Sequence, residues 1–205
     1  SNNSIVNIYS TNDYTLQNGG EIGFGGKYKS GGNVAQFAKI RSFKTNASDG
    51  GVNYGGGLQF WTRPNGSAAV PRMTILGDGN VGIGTDSPGE KLDVNGNVKI
   101  KDALLSNQEN TDVDSAAAEV VAQVSITDYT AAFFDFVVKK GTNVRSGTVY
   151  ACHDGTNVEF TETSTNDLGD TSDVTLSVDK TSTNLRLIAT VTSDDWSVKS
   201  LIRAI

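Results

Sequence analysis

The sequence predicts an all-β chain, and three observations carry that reading. Gly accounts for 23 of the 205 residues and Pro for 3, with Ser, Thr and Asn filling much of the remainder. Chains rich in Thr, Val, Gly and Asn with few helix formers suit short strands and tight turns. Apolar residues recur at every second position in many windows of about five residues, which is the period of a strand. A turn-and-strand unit is also written twice, as "DGNVGI" (78–83) and "NGNVKI" (95–100). The hydrophobic fraction is 37% and the charged fraction 20%. Low hydropathy without high charge is not the signature of a disordered chain. The length suits one or two domains.

Taken in order, "SIVNIYS" opens the chain with Ile5, Asn7 and Tyr9 alternating against Val6 and Ile8. "NGGEIGFGG" and "AQFAKIRSF" follow. In the second, Gln36, Ala38, Ile40 and Ser42 share one face, and Phe37, Lys39, Arg41 and Phe43 the other. "GGGLQFWTRPNG" sets Leu58 and Phe60 together and ends in a Pro-Asn-Gly turn. These strands are too short and narrow to hold a private core, so partner surface is expected from elsewhere.

The two repeat copies align Gly79 with Gly96, Asn80 with Asn97, Val81 with Val98 and Ile83 with Ile100. Each reads as an Asx-Gly turn feeding a strand, and stacked units of this kind can bury one another. Between them lie a Ser-Pro-Gly turn and the pair Leu92 and Val94, expected to alternate outward and inward. "KDALLSNQEN" is expected as a short helix or a connector. From residue 110 the strands lengthen. "AAFFDFVVKKG" carries Phe134, Phe136 and Val138 on one face, with Phe133 and Val137 opposite. Together with "VRSGTVYACHDG", "TNVEFTET", "SDVTLSVDKT", "NLRLIATVT" and "WSVKSLIRAI", this gives at least six strands at regular spacing, the pattern of a sandwich or jelly roll.

Composition excludes several functions. The net charge is −6 and the lysines and arginines are scattered, so no basic stripe for nucleic acid is present. No apolar run approaches the roughly 18 residues of a membrane-spanning helix. The start lacks the charged and apolar parts of a signal peptide and reads as a chain cut mid-pattern. Cys152 is the single cysteine and His153 the single histidine, so one chain cannot form a disulfide or an ordinary Cys/His zinc site.

The candidate sites are few. "GGEIGFGGKYKSGG" fails as a phosphate loop, because Glu21 stands where the first glycine belongs and Tyr28 where Ser or Thr would bind the metal. Cys152 and His153 are strand neighbours and point to opposite faces, so they cannot act as nucleophile and base. Three copies of His153 around a symmetry axis could make an anion or metal site, although a residue just before a turn is more simply exposed. Acidic clusters fall at Asp112/Asp114, Asp167/Asp170/Asp173 and Asp194/Asp195. The middle one could wrap calcium but lacks the EF-hand ligand order, and an acidic solvated loop is the simpler reading. Trp61, Trp196, Tyr129, Tyr150 and Tyr54 are amphipathic rings able to stack on sugars or anchor interfaces, although for any one ring core or intersubunit packing is the simpler reading. No catalytic constellation, cofactor or metal is expected.

The stretch "RMTILGDGNVGIGTDSPGEKLDVNGNV" (72–98) resembles a segment found repeatedly in tail fibres and related structural proteins of bacteriophages, with the pattern "GNVGIGT-SP" followed by "KL-V-GNV". "GGEIGFGGKYKSGGNVAQFAKI" and "LQFWTRPNG" resemble sequence that commonly precedes it. The last 95 or so residues resemble a terminal domain of fibre-like proteins from phages of aquatic bacteria. In such fibres the segment is often followed by a self-cleaving chaperone domain, of which this sequence shows no sign.

The resemblance implies a homotrimer with strands of three chains wrapped about one axis, in which Val81, Ile83, Leu92, Val94, Val98 and Ile100 pack against neighbouring copies. The expected architecture is an intertwined trimeric β-rich shaft (1–76), a repeat-built neck and connector (77–109) and a C-terminal β-sandwich, jelly-roll-like head (110–205). The expected role is a virion tail fibre, assembled in the host cytoplasm, that attaches to the bacterial surface through polysaccharide or an outer-membrane protein. Its partners would be two further copies of itself and other tail or baseplate proteins, with no nucleic acid and no membrane insertion. Tyr150, His153, Asp154, Asn157 and Trp196 are the candidate receptor contacts, from turn position and ring chemistry. The alternative is a structural baseplate, collar or head-decoration fibre without a receptor. A depolymerase would need a long β-helix with a carboxylate-lined groove, for which the chain has no room.

Overall fold

The computed structural model describes residues 19–45 and 55–205. Among them it is all-β: fifteen strands and no helix. Contacts divide the chain into two units, Ser1–Asn95 and Gly96–Ile205. The stretch expected as a neck, 77–109, is therefore shared between them. "SIVNIYS" and Tyr54 lie outside the described residues.

The first unit holds one six-stranded sheet in sequential order: β1 (Glu21–Lys27), β2 (Val34–Lys44), β3 (Gly56–Thr62), β4 (Val70–Ile75), β5 (Val81–Ile83) and β6 (Leu92–Val94). Neighbours are antiparallel except β5 and β6, which run parallel. Directly paired residues share a face, so the register sorts the side chains. Ile22 pairs with Ile40 and Ile40 with Phe60; Phe60 then meets Met73, and Met73 meets Ile83. Phe24, Ala38, Leu58, Ile75, Val81, Leu92 and Val94 fall on the same side. Leu92 and Val94 thus do not alternate. Being two residues apart, they share this face, paired with Val81 and Ile83.

The opposite face carries Glu21, Lys39, Arg41, Phe43, Gln59, Trp61 and Thr74. The buried side chains of this sheet lie on this face, although Glu21 there is exposed and Lys39, Arg41 and Trp61 are half-buried. Phe43, Gln59 and Thr74 are inaccessible, whereas no residue of the apolar face reaches that class. Gln59 Nε2 donates to Thr74 Oγ1 at 3.3 Å and Trp61 Nε1 donates to Gln59 Oε1 at 3.1 Å. Lys39 lies 4.7 Å from the centre of the Trp61 ring and pairs with Glu21 at 2.8 Å. Phe43 fits because Gly57 opposite it has no side chain: a Cβ there would lie 2.5 Å from the Phe43 ring.

The second unit packs two sheets on one core. The larger has the order β12-β11-β10-β15-β8-β7 and the smaller β13-β14-β9. Their spans are β7 (Val98–Ile100), β8 (Ala103–Val113), β9 (Glu119–Ser125), β10 (Ala131–Lys140), β11 (Asn143–His153), β12 (Val158–Ser164), β13 (Val174–Lys180), β14 (Asn184–Val191) and β15 (Trp196–Ala204). Phe134, Phe136 and Val138 of β10 point inward with Val198 and Ile202 of β15, against Leu185 and Leu187 of β14 and Leu176 of β13. Phe133 and Val137 take the outer face, as the alternation in the sequence requires.

Two expectations are corrected. "KDALLSNQEN" is neither helix nor connector but most of β8, which pairs with β15 from Leu104–Ala204 to Val113–Trp196. Leu104 packs against the core while Leu105 faces out, so a pattern that suits a helix locally is overridden by a ladder on either side. The repeat copies do not pair with each other and belong to different sheets. Val81–Ile83 pairs with β4 and β6, and Val98–Ile100 with β8 in a different sheet. What they share is the turn, with Gly79 at φ +84° and Gly96 at φ +147°, a region L side chains rarely adopt.

The inward and outward faces of β10 are readily tested by truncation. Phe134→Ala should destabilise the protein by about 3–5 kcal/mol in urea unfolding, because it empties a fully buried site. Val137→Ala on the outer face should stay within about 0.5 kcal/mol of wild type. Equal losses would contradict the face assignment.

Candidate functional site

The sequence-predicted contact residues separate into three places. Trp196 is 1% exposed and belongs to the core, with Nε1 donating to Ser193 Oγ at 3.1 Å and the Lys140 ammonium 5.6 Å from the ring centre. It is no surface ligand contact. The cause is register: Trp196 opens β15 on the inward parity shared with Val198 and Ile202. Tyr129 is likewise buried.

His153, Asp154 and Asn157 form the turn between β11 and β12. Asp154 Oδ1 accepts the backbone N–H of Thr156 at 2.8 Å and of Asn157 at 2.7 Å, and Oδ2 accepts Asn157 Nδ2 at 2.9 Å. Led by the Asn157 backbone donor, then its side chain and the Thr156 amide, these bonds lower the Asp154 carboxyl to about 2. His153 is half-buried rather than simply exposed. Its Nδ1 accepts the Gly155 N–H at 3.1 Å, which leaves Nε2–H to donate to the Tyr129 carbonyl at 2.8 Å. With both ring nitrogens in use, the imidazole orders the turn.

Tyr150 stands apart from the other candidates on the outer face of the large sheet, 44% exposed. The register sets it between Phe133 of β10 and Thr161 of β12. The next row on the same face is Ala131, Cys152 and Glu159. The Phe133 and Tyr150 rings meet edge to face, 5.8 Å apart at 86°. Arg203 lies 5.0 Å from the Phe133 centre and is held by Asp135 through Nε at 3.1 Å and Nη2 at 3.2 Å. Thr148 Oγ1 donates to the same carboxylate at 2.6 Å. Burial pushes Asp135 up, but the Thr148 hydroxyl and Arg203 outweigh it and hold the carboxyl below its usual range. A shallow groove of about 350 Å³ follows, floored by Ala131 and Cys152 and walled by Phe133, Tyr150 and Thr161, with Glu159 at its edge; Ala151 and Phe160, of the opposite parity, also line it.

The carboxylates of Asp167, Asp170 and Asp173 do not converge on one point. Asp167 caps Thr171, Asp170 caps Ser172, and Asp173 accepts the hydroxyls of Thr192 and Ser193. Asp167 and Asp170 serve their own loop, and Asp173 ties it to the loop between β14 and β15. Among the described residues, the acidic group brought close enough to share an ion is Asp112, Asp114 and Asp195, a combination across 80-odd residues that spacing could not disclose. Asp114 there accepts the Asp195 N–H at 3.1 Å. Trp61 belongs to the polar face of the first sheet, between Lys39 and Arg41.

Of the expected packing residues, Val81, Ile83, Leu92 and Val94 lie on the apolar face of the first sheet. Val98 and Ile100 lie on the outer face of the second unit's large sheet, where Val98 pairs with Leu105 and Ile100 with Ala103. Leu92 is 64% and Ile100 68% exposed. The missed signal was the continuity of the first group: each short strand looks weak alone, and only the register shows one apolar surface.

No family model matches the chain, and no curated protein matches it either.

The Asp154 turn carries a pH signature. A carboxyl depressed in the fold contributes stability that is full above its unfolded value near 4 and lost as pH falls through about 2. Asp154→Ala should therefore lower stability at pH 7 by an amount that shrinks steadily below about pH 4, followed by urea unfolding at each pH. A difference unchanged down to pH 2 would mean that ionisation of Asp154 does not support the turn.

Proposed function

We propose that the chain is a structural fibre protein of a bacteriophage virion, working as a homotrimer that attaches to the bacterial surface. The observation that carries the self-association is the first sheet's inverted burial. Apolar side chains from all six strands form one face, and none of them is buried, whereas Phe43, Gln59 and Thr74 on the face behind it are. Two charged side chains reach the apolar face: Lys44 at the end of β2, and Arg72 at the β4 irregularity, where its Nε donates to Thr62 Oγ1 at 3.0 Å.

A sheet face of this kind must bury itself against another layer, and large contiguous apolar patches on soluble proteins mark interaction surfaces. Burying one such side chain contributes roughly 1.5–3 kcal/mol. Copies of the same sheet supply a matching surface, and three of them close a ring without leaving a free apolar face. The resemblance of residues 72–98 to phage fibre segments favours three copies and a place on the virion. Attachment follows from that resemblance and from the exposed aromatic groove on the second unit. Three linked copies would strengthen weak single-site binding through avidity. A scaffold fibre without a receptor is the competing role. It predicts the same trimer but no interaction with cells.

The mass in solution tests the assembly. Light scattering should give about 65 kDa, three copies of a 21.6 kDa chain. Phe60→Asp, which puts a charge in the middle of the apolar face, should reduce it to the mass of one chain. Free wild-type protein added to susceptible cells should block later infection. A trimer that leaves infection untouched would favour the scaffold.

A further inference from the structure

The geometry points to the groove beside Tyr150 as a saccharide-binding subsite selective for uncharged or amino-bearing pyranose rings. This inference rests on the attachment reading and gives it a place and a ligand class.

The groove is made by a step in side-chain size across three strands. The row Phe133–Tyr150–Thr161 is tall, and the neighbouring row Ala131–Cys152–Glu159 is low until it reaches Glu159. A ligand lying on Ala131 and Cys152 meets the Tyr150 ring at its side and a carboxylate at its edge. The aromatic wall does not wander. Tyr150 is braced edge-on by Phe133, Phe133 is covered by Arg203, and Arg203 is held twice by Asp135. Fixed rings offer contact area at little conformational cost.

The polar groups around the groove are free to act. Among the described residues, the Tyr150 hydroxyl, the Thr161 hydroxyl and the Glu159 carboxylate make no hydrogen bond or ion pair within the chain, unlike Asp135 and Asp154 nearby. An open groove of about 350 Å³ with one apolar wall and scattered hydroxyl and carboxylate acceptors fits a ring that is apolar on its C–H face and polar at its rim. That is a pyranose within a polysaccharide.

Charge then decides which sugars. Glu159 is the free charge at the groove, and the cation nearest the rings, Arg203, is already paired with Asp135. The chain as a whole carries −6. A uronic acid or other acidic sugar would bring like charge to a carboxylate with nothing to offset it. An ammonium on the sugar would find both that carboxylate and the negative faces of the rings.

The test uses the whole chain with three defined probes: chitosan oligosaccharide, dextran and polygalacturonate, followed by titration calorimetry and by shifts of the outer-face resonances of β11 and β12. Chitosan oligosaccharide and dextran should bind and polygalacturonate should not. Tyr150→Ala should weaken both at least tenfold, and Glu159→Gln should weaken chitosan several-fold while sparing dextran. Tyr150→Phe, which keeps the ring, guards against a folding artefact and should retain most of the affinity. Binding of none of the three, equal binding of polygalacturonate, or indifference to Tyr150→Ala would overturn the subsite. Adsorption to cells separates the two readings. If wild type and Tyr150→Ala adsorb equally, the groove is wrong and attachment stands. If the sugars bind as expected but a strain panel is not recognised, attachment fails and the subsite stands.

Discussion

A β-sheet has two faces, and the first unit of this chain has placed its apolar residues on the one it leaves open. Everything else in that unit follows from this arrangement. Gln59, Thr74 and Trp61 form a hydrogen-bonded row on the polar face, and Lys39 and Glu21 close over it. Buried polar groups persist when they are paired, so the polar side can be satisfied within a single chain. The apolar side cannot, since hydrocarbon gains nothing from a neighbour it does not have. The sheet is thus satisfied on its polar side and unfinished on its apolar side, and the unfinished side is the surface that the proposed self-association would cover.

The second unit solves the same problem alone. Its six-stranded and three-stranded sheets share one core, filled by Phe134, Trp196, Leu185, Leu187 and Ile202. With that face sealed, the outer face of the large sheet is free to carry chemistry, and its detail is set by alternation along β10, β11 and β15. Asp135 is the hinge of the pattern. It lies between Phe133 and Val137 on the outward parity and collects Arg203 from β15 and Thr148 from β11. A carboxylate held by two donors on flanking strands locks the lateral positions of three strands at once, and the Phe133–Tyr150 pair sits one step along the same ladder.

Much of this was legible in the residues. The all-β class, the faces of "AAFFDFVVKKG" and the separation of Cys152 from His153 all follow from a period of two, which needs no partner to be read. In "AQFAKIRSF" the period holds from Ala38 to Phe43, but a bulge opposite Phe24 and Gly25 turns Gln36 toward the Lys39 side and Phe37 away from it. What the sequence withheld depends on pairing. β8 looked helical because Leu, Ser, Asn and Gln tolerate a helix, and only the ladders with β15 and β7 make it a strand. Trp196 looked like a surface ring because its position in the strand, and so its parity, was unknown. The groove was half visible. Tyr150 was picked out by its chemistry, but Phe133, Thr161 and Glu159 meet it only through two registers that no local pattern encodes. Asp114 and Asp195 are brought together in the same way, across the return of the chain.

The doubled "GNV" unit now has a physical explanation different from mutual stacking. Its two copies supply β5, next to the end of the first sheet, and β7, at the end of the large sheet of the second unit; β6 between them forms the first sheet's own edge. All three strands are three residues long. Very short edge strands present little free backbone to a stray chain, and a glycine at positive φ, Gly79 or Gly96, precedes β5 and β7. Yet these same strands expose Leu92 and Ile100 more fully than almost any other apolar side chains. Sequence that blunts the backbone edge while presenting apolar side chains favours contact through faces over contact through ladders. In the proposed trimer, that combination would let copies meet through their faces instead of adding strands without limit.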